Sequence, residues 1–508
     1  MHSSNRIIIN TIAQYLRAVL NIIFSFLATR VILKVLGVED YGIYTLVAGV
    51  ISILSFITSS LVITTQRYLS ICQGENNLQK SKSIFGNSLI LHLIIGGGII
   101  IILETLYPLL FNNFLNIPET RIYSTKILYH IVVSILFFTF ISSPFKAILI
   151  SHENILYLSI IETIDCVLKL VIAYLLYIIN LDKLIAYGLL MLFIQLFNLV
   201  TLSTYCFYKY KECALPNIQS INTKYLKELS SFAGWTMYNL ICNLGRTQGI
   251  SILLNKYMGP TINTAYGLGF QVSGALGNLS QSLLNAINPQ LMKAEGGGDR
   301  NKMLRYAEIE SKFAFFLLSA VAIPCVFEMP LLLDLWLDKV PSYSVLFCRM
   351  IIIAALVDNL TIGLGAANQA IGNIKEYVLI IYTIKFLTLF ACIIILYCGY
   401  DLLFVTIAYV VFELLSSICR IPFMIYTANL DLRKFYNNVF LKEIVPFIVL
   451  LSSCIILTSC IDNNHRFIYT FGISIILYIY AIYYCGLCKD EKEIINSCLI
   501  RFKKRLNN

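Results

Sequence analysis

Long apolar stretches recur from one end of the chain to the other, and no other feature narrows the fold as far. Fourteen helices are expected, near residues 8–36, 42–65, 84–111, 123–145, 155–179, 184–208, 230–257, 262–290, 312–333, 343–371, 377–398, 402–427, 443–461 and 467–487. Each reaches roughly 20 residues, enough to cross a hydrocarbon core of about 30 Å. Backbone groups find no water in lipid. A spanning segment without the alternating pattern of a β-barrel must therefore bond them internally, as a helix. Composition agrees: of 508 residues, 58% are hydrophobic and 13% charged, against roughly 25% charged in an average soluble chain. So few charges cannot cover a water-soluble globule. That excludes an ordinary cytosolic enzyme, a disordered chain and a disulfide-stapled secreted domain. The 15 cysteines lie mostly in apolar stretches and lack metal-ligand spacing. Even Cys485-x-x-Cys488 closes a span without a partner histidine, so inert small apolar residues describe them. No metal or cofactor is expected. The first span is too long for the apolar core of a signal peptide, so no cleavage is expected.

Basic residues orient the chain. With the N-terminus inside, the inner segments hold 24 of the 38 Lys and Arg. The outer loops hold 5 (Arg121, Lys183, Lys256, Lys339 and Arg466), and 9 lie within or at the ends of spans. Basic residues concentrate on the cytoplasmic side of membrane proteins. The contrast predicts a multi-pass membrane protein with both termini cytoplasmic. It also explains the net charge of +10 without a nucleic-acid partner.

The two halves resemble each other. A shift of 222 residues aligns Asn21 with Asn243, Lys34 with Lys256, Gly37 with Gly259, Tyr44 with Tyr266 and Lys80 with Lys302. A shift of 220 aligns Tyr157 with Tyr377 and Thr163 with Thr383. The expected organisation is an N-terminal six-helix lobe (1–210), a cytoplasmic linker (211–229), a C-terminal six-helix lobe (230–430), a final helix pair (431–488) and a basic cytoplasmic tail (489–508). An offset of six spans gives both lobes one orientation, related by a pseudo-two-fold axis along the membrane normal. Transporters built from such repeats place their site between them.

Polar residues interrupt the spans in a pattern. Asn10, Gln14, Arg17, Asn21 and Ser25 follow steps of 4, 3, 4 and 4 and share one face of the first helix. Thr236, Asn239, Asn243 and Arg246 do the same in the seventh. Arg17 and Asn21 align with Asn239 and Asn243 in the repeat, so both stripes are expected to line a shared cavity and bind substrate. Asparagine and glutamine also serve as hydrogen-bonding glue between helices. Neither arginine has an acid three or four residues away in its own span, so its partner is a distant residue or a ligand. Arg30 lies near the outer end of the first span, where it could bind or snorkel. Arg67 reads as a topology signal. Glu162 and Asp165 share a face with Lys169 and could neutralise it or relay an ion. Asp358 precedes Gly363, Gly365 and Gly372; with Glu162 and Asp165 it is a candidate for ion coupling. Glu104, Lys385 and Glu413 stand isolated. Gly267, Gly269, Gly274 and Gly277 allow bending or close packing. No P-loop, H-E-x-x-H or nucleophile-elbow motif occurs, and no loop exceeds about 25 residues, too short for the aqueous domain of a membrane polymerase. The chain reads as a transporter, not an enzyme.

Leu36-Gly37-Val38-Glu39-Asp40-Tyr41-Gly42-Ile43-Tyr44 closes the first span and opens the second. It resembles the L-G-x-x-x-[YF]-G-x-[YF] signature of bacterial polysaccharide flippases of the Wzx type, members of the multidrug/oligosaccharidyl-lipid/polysaccharide (MOP) exporter superfamily. The polar first helix, the inner loop at Gln73-Gly74-Glu75 and the 6+6+2 plan are similar too. The second copy departs from the signature: Met258-Gly259-Pro260 and Ala265-Tyr266-Gly267 keep glycine and tyrosine but lose the acidic pair. The resemblance implies a MATE-like fold of 14 transmembrane helices. It further implies alternating-access transfer of undecaprenyl-pyrophosphate-linked oligosaccharide across the bacterial inner membrane, for O-antigen or capsule assembly. Na+ or H+ would be the coupling ion, and the last two helices would help form a groove for the polyprenyl tail. A multidrug exporter, a lipid II flippase and a glycan polymerase are the competing expectations.

Overall fold

Every regular element among the described residues is helical, as the apolar stretches require. The computed structural model describes residues 16–493 apart from 18–19, 22, 25–26, 29, 33, 38–39, 46, 50–53, 110, 112–116, 215–221, 338–339 and 462–464. Eight described helices are long and apolar enough to cross a membrane. A ninth appears if Ser344–Asn359 and Ile362–Ile371, bent by 47° at their junction, count as one span. Four more, Ser55–Gly74, Ile155–Leu175, Thr223–Met258 and Pro260–Gly296, have the length but are too polar or too charged to pass that test. Lipid alone would not accept these helices, and the polar residues of interest sit largely on them.

Packing divides the chain into two compact units, with the boundary between Met237 and Tyr238. The first unit is built round Ile122–Ser151, which packs against Ser55–Gly74, Leu78–Leu109 and Lys183–Lys209. Leu61, Leu91, Leu128, Val132, Phe140 and Leu184 fill that core. At one end of the unit Arg121 binds Asp40, of the signature segment, and Asp182 at 2.9 Å. The Asp182 side chain also caps the Lys183–Lys209 helix by accepting from the amides of Leu184 and Ile185. The signature acid is thus part of a structural clamp.

The second unit centres on Pro260–Gly296, Arg300–Trp336 and Ser344–Asn359. Gly363, on the Ile362–Ile371 helix, lies so close to Arg300–Trp336 that a Cβ there would fall 2.1 Å from the Ala307 carbonyl oxygen. The two signature glycines have the same backbone conformation in both copies: φ is +81° at Gly37 and +87° at Gly259. An L side chain is strained there, which explains why glycine survives in the diverged second copy.

Candidate functional site

Of the expected site residues, Arg17, Glu162 and Asp165 take part in ion pairs of the first unit, and Arg246 and Asp358 in one ion-pair network of the second. Gln14, like Asn10, lies outside the described residues. Arg30 is exposed. In the first unit the Arg17 guanidinium donates to the Glu162 carboxylate, with both side chains half-buried. Lys146 stands 4.0 Å from the same carboxylate. Asp165 takes Lys169 at 2.7 Å and accepts from the Asn198 amide at 2.8 Å. The expectation that both acids serve Lys169 is therefore corrected for Glu162. It lies two turns from Lys169, about 10 Å along the axis, and Arg17 reaches it from another helix. Asn21 accepts a hydrogen bond from the Cys166 thiol.

In the second unit Arg246 Nη1 donates to Glu413 at 2.6 Å, and its guanidinium lies 4.5 Å above the Tyr409 ring. Lys385 joins Glu413 to Asp358, which it meets at 2.8 Å. Arg420 binds Asp358 at 2.5 Å. Asp358, Lys385 and Glu413 looked isolated along the chain; in space they form one continuous network. Asn243 donates to the Asn239 side chain at 2.8 Å, and Asn239 in turn bonds Tyr382.

The helix break beside Asp358 belongs to this site. Arg420 Nη1 also donates to the Asp358 carbonyl at 3.1 Å. Ser417 donates to the Val357 carbonyl at 3.1 Å, and Ser311 accepts from the Gly363 amide at 3.0 Å. Side chains of neighbouring helices thus satisfy the backbone groups that the bend frees, the condition for irregular backbone at membrane depth. The helix expected near 343–371 is thus two helices that meet at a 47° bend.

The charge balance of these ion-paired groups is the same in both units. Arg17, Lys146 and Lys169 stand against Glu162 and Asp165, which is three minus two, or +1. Arg246, Lys385 and Arg420 stand against Glu413 and Asp358, again three minus two, or +1. The Nε atoms of Arg17, Arg246 and Arg420 are buried with no acceptor among the described residues. A surplus cation with spare donors suits an anionic ligand, and guanidinium groups match phosphate oxygens well. The three acids proposed for ion coupling are each tied to at least one cation.

The repeat is visible in the contacts themselves. By the shifts of 222 and 220, the Arg17–Glu162 pair corresponds to Asn239–Tyr382, which is also bonded. The first helix of each repeat therefore packs on the fifth in the same register. Arg420 and Tyr409 escaped the sequence reading, although a signal was present. Thr406, Tyr409, Glu413, Ser417 and Arg420 follow steps of 3, 4, 4 and 3 on one face of Leu402–Ala428. Arg67 is more than a topology signal: it is buried, 4.7 Å from the centres of both the Tyr68 and Phe232 rings.

A bundle of apolar helices with ion pairs set among them, those of the second unit largely buried, is the build of an integral membrane transporter. The chain belongs to the polysaccharide biosynthesis protein family, which it matches over residues 4–295. This bears out the resemblance to flippases of the MOP superfamily. One curated relative is the uncharacterized membrane protein EpsK of Bacillus subtilis (strain 168), 24% identical over 346 residues, 66% of each chain. The chain thus spans about two thirds of that relative's length. Among solved structures, the outward-facing conformation of a multidrug resistance MATE family transporter superposes with a TM-score of 0.71 at 15% identity, covering 83% of this chain and 95% of that one. A MOP superfamily transporter from Pyrococcus furiosus, described as having a binding pocket of reverse polarity that suggests a different function, gives 0.71 at 13% identity and the same coverage. These likenesses establish a MATE-like, all-helical fold.

Proposed function

We propose that this protein is a flippase that moves undecaprenyl-pyrophosphate-linked oligosaccharide across the bacterial cytoplasmic membrane, with both termini on the cytoplasmic side. Alternating access is the mechanism that suits the fold. The observation that carries the reading is the surplus cation among the ion-paired groups of each unit. A pyrophosphate is strongly anionic, and bringing it to mid-membrane requires cationic partners. Arg17 and Arg246 are the residues assigned to it, with Asn21, Asn239 and Asn243 beside them. Family membership supports polysaccharide assembly as the setting. An exporter of cationic drugs would call for an acidic surplus, the opposite of what the ion-paired groups of both units carry. If an ion gradient drives the cycle, Asp358, Glu162 and Asp165 act through release of their lysine and arginine partners.

The test is deletion in the native host, followed by analysis of lipid-linked intermediates. Repeat units should accumulate on the cytoplasmic leaflet and disappear on complementation. Single repeats that reach the outer leaflet and stay unpolymerised would instead identify a polymerase.

A further inference from the structure

We infer that one face of the Pro260–Gly296 helix is the contact surface for the neutral, hydroxyl-bearing part of the cargo, the glycan; the inference rests on the flippase reading above. Gly267, Gln271, Gly274, Asn278, Gln281 and Asn285 follow steps of 4, 3, 4, 3 and 4 and so share one face. All are exposed except Asn285, which is half-buried. A Cβ added at Gly267 or Gly274 would meet nothing within 4 Å, so the face is open rather than packed.

Position and chemistry both point to an aqueous ligand. The helix has 37 residues and Asn278 is its midpoint. The amides from Gln271 to Asn285 therefore extend roughly 21 Å about its centre, at 1.5 Å per residue. Amides cannot face acyl chains there, because each would lose its hydrogen bonds to water without replacement. Gln281 donates to Asn285 at 3.1 Å, which aligns two amides in a row and leaves other donors and acceptors toward open space. No Asp, Glu, Lys, Arg or His occurs from Pro260 to Met292. An ionic group finds no counter-charge on this face. A sugar finds paired donors and acceptors that match adjacent hydroxyls, and the glycines leave room for its ring.

The face belongs to the second unit alone. By the shift of 222, Gln271, Asn278, Gln281 and Asn285 correspond to Gly49, Phe56, Ser59 and Ile63. The two units thus share the +1 balance suited to the pyrophosphate, while recognition of the sugars falls to one of them.

The test uses the full chain in the host deletion strain with two cargoes. One is the native repeat unit. The other is undecaprenyl pyrophosphate bearing only the first sugar, obtained by removing the later glycosyltransferases. The double variant Asn278→Leu/Gln281→Leu should lower outward transfer of the full unit by about tenfold. Transfer of the single-sugar cargo should stay near wild type, with membrane level and melting temperature unchanged. Equal loss for both cargoes, or no loss for either, overturns the inference. Failure of the wild-type gene to restore transfer in the deletion strain sinks the flippase reading itself, and is told apart by the wild-type control.

Discussion

Truncating Arg246 to alanine turns the second network from three cations and two carboxylates to two of each, a balance of zero. Glu413 keeps Lys385 as a partner, so the change should not leave an orphaned charge of the kind that costs about 3–5 kcal/mol. The expected outcome for Arg246→Ala is loss of surface glycan with the protein still in the membrane. Arg17→Ala should behave likewise, and normal glycan in both variants would remove the pair from the site. Arg246→Ala/Glu413→Gln separates two roles. It restores the balance to +1, two cations against one carboxylate. Glycan should recover in part if surplus charge is what the cargo requires; no recovery would assign the role to the Arg246 guanidinium itself. The arginines were legible in the sequence because a charged residue on a polar helical face stands out against apolar neighbours. Their carboxylate partners were not, because Glu162 and Glu413 lie 145 and 167 residues away and periodicity reports only on neighbours within one helix.

At the scale of elements, glycine placement separates packing from openness. Gly363→Ala would put a methyl group against the Ala307 backbone, which cannot swing aside as a side chain can. It should destabilise the protein by about 1–3 kcal/mol or more, read as a fall in melting temperature and membrane level. Gly277→Ala meets nothing within 4 Å and should be neutral or stabilising by up to about 1 kcal/mol, since alanine favours helix. A second element-scale feature holds the turn after Ile122–Ser151 to the segment after Lys183–Lys209. His152 bonds Glu212 and stacks on Tyr210, with ring centres 4.1 Å apart. Burial alone would raise the Glu212 carboxyl, but the His152 hydrogen bond and charge outweigh it and hold it below the ordinary range. A depressed carboxylate contributes stability that is present above its unfolded value and lost as pH falls through the folded one. Melting of the wild type and Glu212→Gln should therefore differ at neutral pH, with the gap closing below about pH 4. The existence of most long helices was legible from apolar length. The bend after Asp358 was not, because Arg420, Ser417 and Ser311 supply its hydrogen bonds from other helices.

For the molecule as a whole, the question is how the last helices join the second unit. Sequence reading set residues 431–488 apart as a pair with a groove for the lipid tail. In the structure Arg300–Trp336 holds the terminal segments at three levels. Glu328, fully buried, takes Arg466 at 3.0 Å and Thr470 at 2.8 Å. Midway, Ser319 and Tyr478 share a hydrogen bond of 2.6 Å. At the opposite end Lys312, also fully buried, takes Glu491 at 2.6 Å, while Arg305 binds both Asp490 and Glu491. Arg466, Thr470 and Tyr478 thus fasten the Arg466–Ala481 helix to Arg300–Trp336, and Asp490 and Glu491 fasten the segment beyond it. Truncation after Gly486 removes the Glu491 carboxylate that binds the buried Lys312 ammonium and leaves the more distant Glu443 to act on it. The expected cost is about 3–5 kcal/mol, seen as a lower melting temperature. Lys312→Met in the truncated protein removes the buried charge at similar volume and should recover most of the loss. If the truncated protein melts at the full-length temperature, the Lys312–Glu491 pair does not hold the tail. If Lys312→Met brings no recovery, the loss comes from the missing segment's packing rather than from a buried charge.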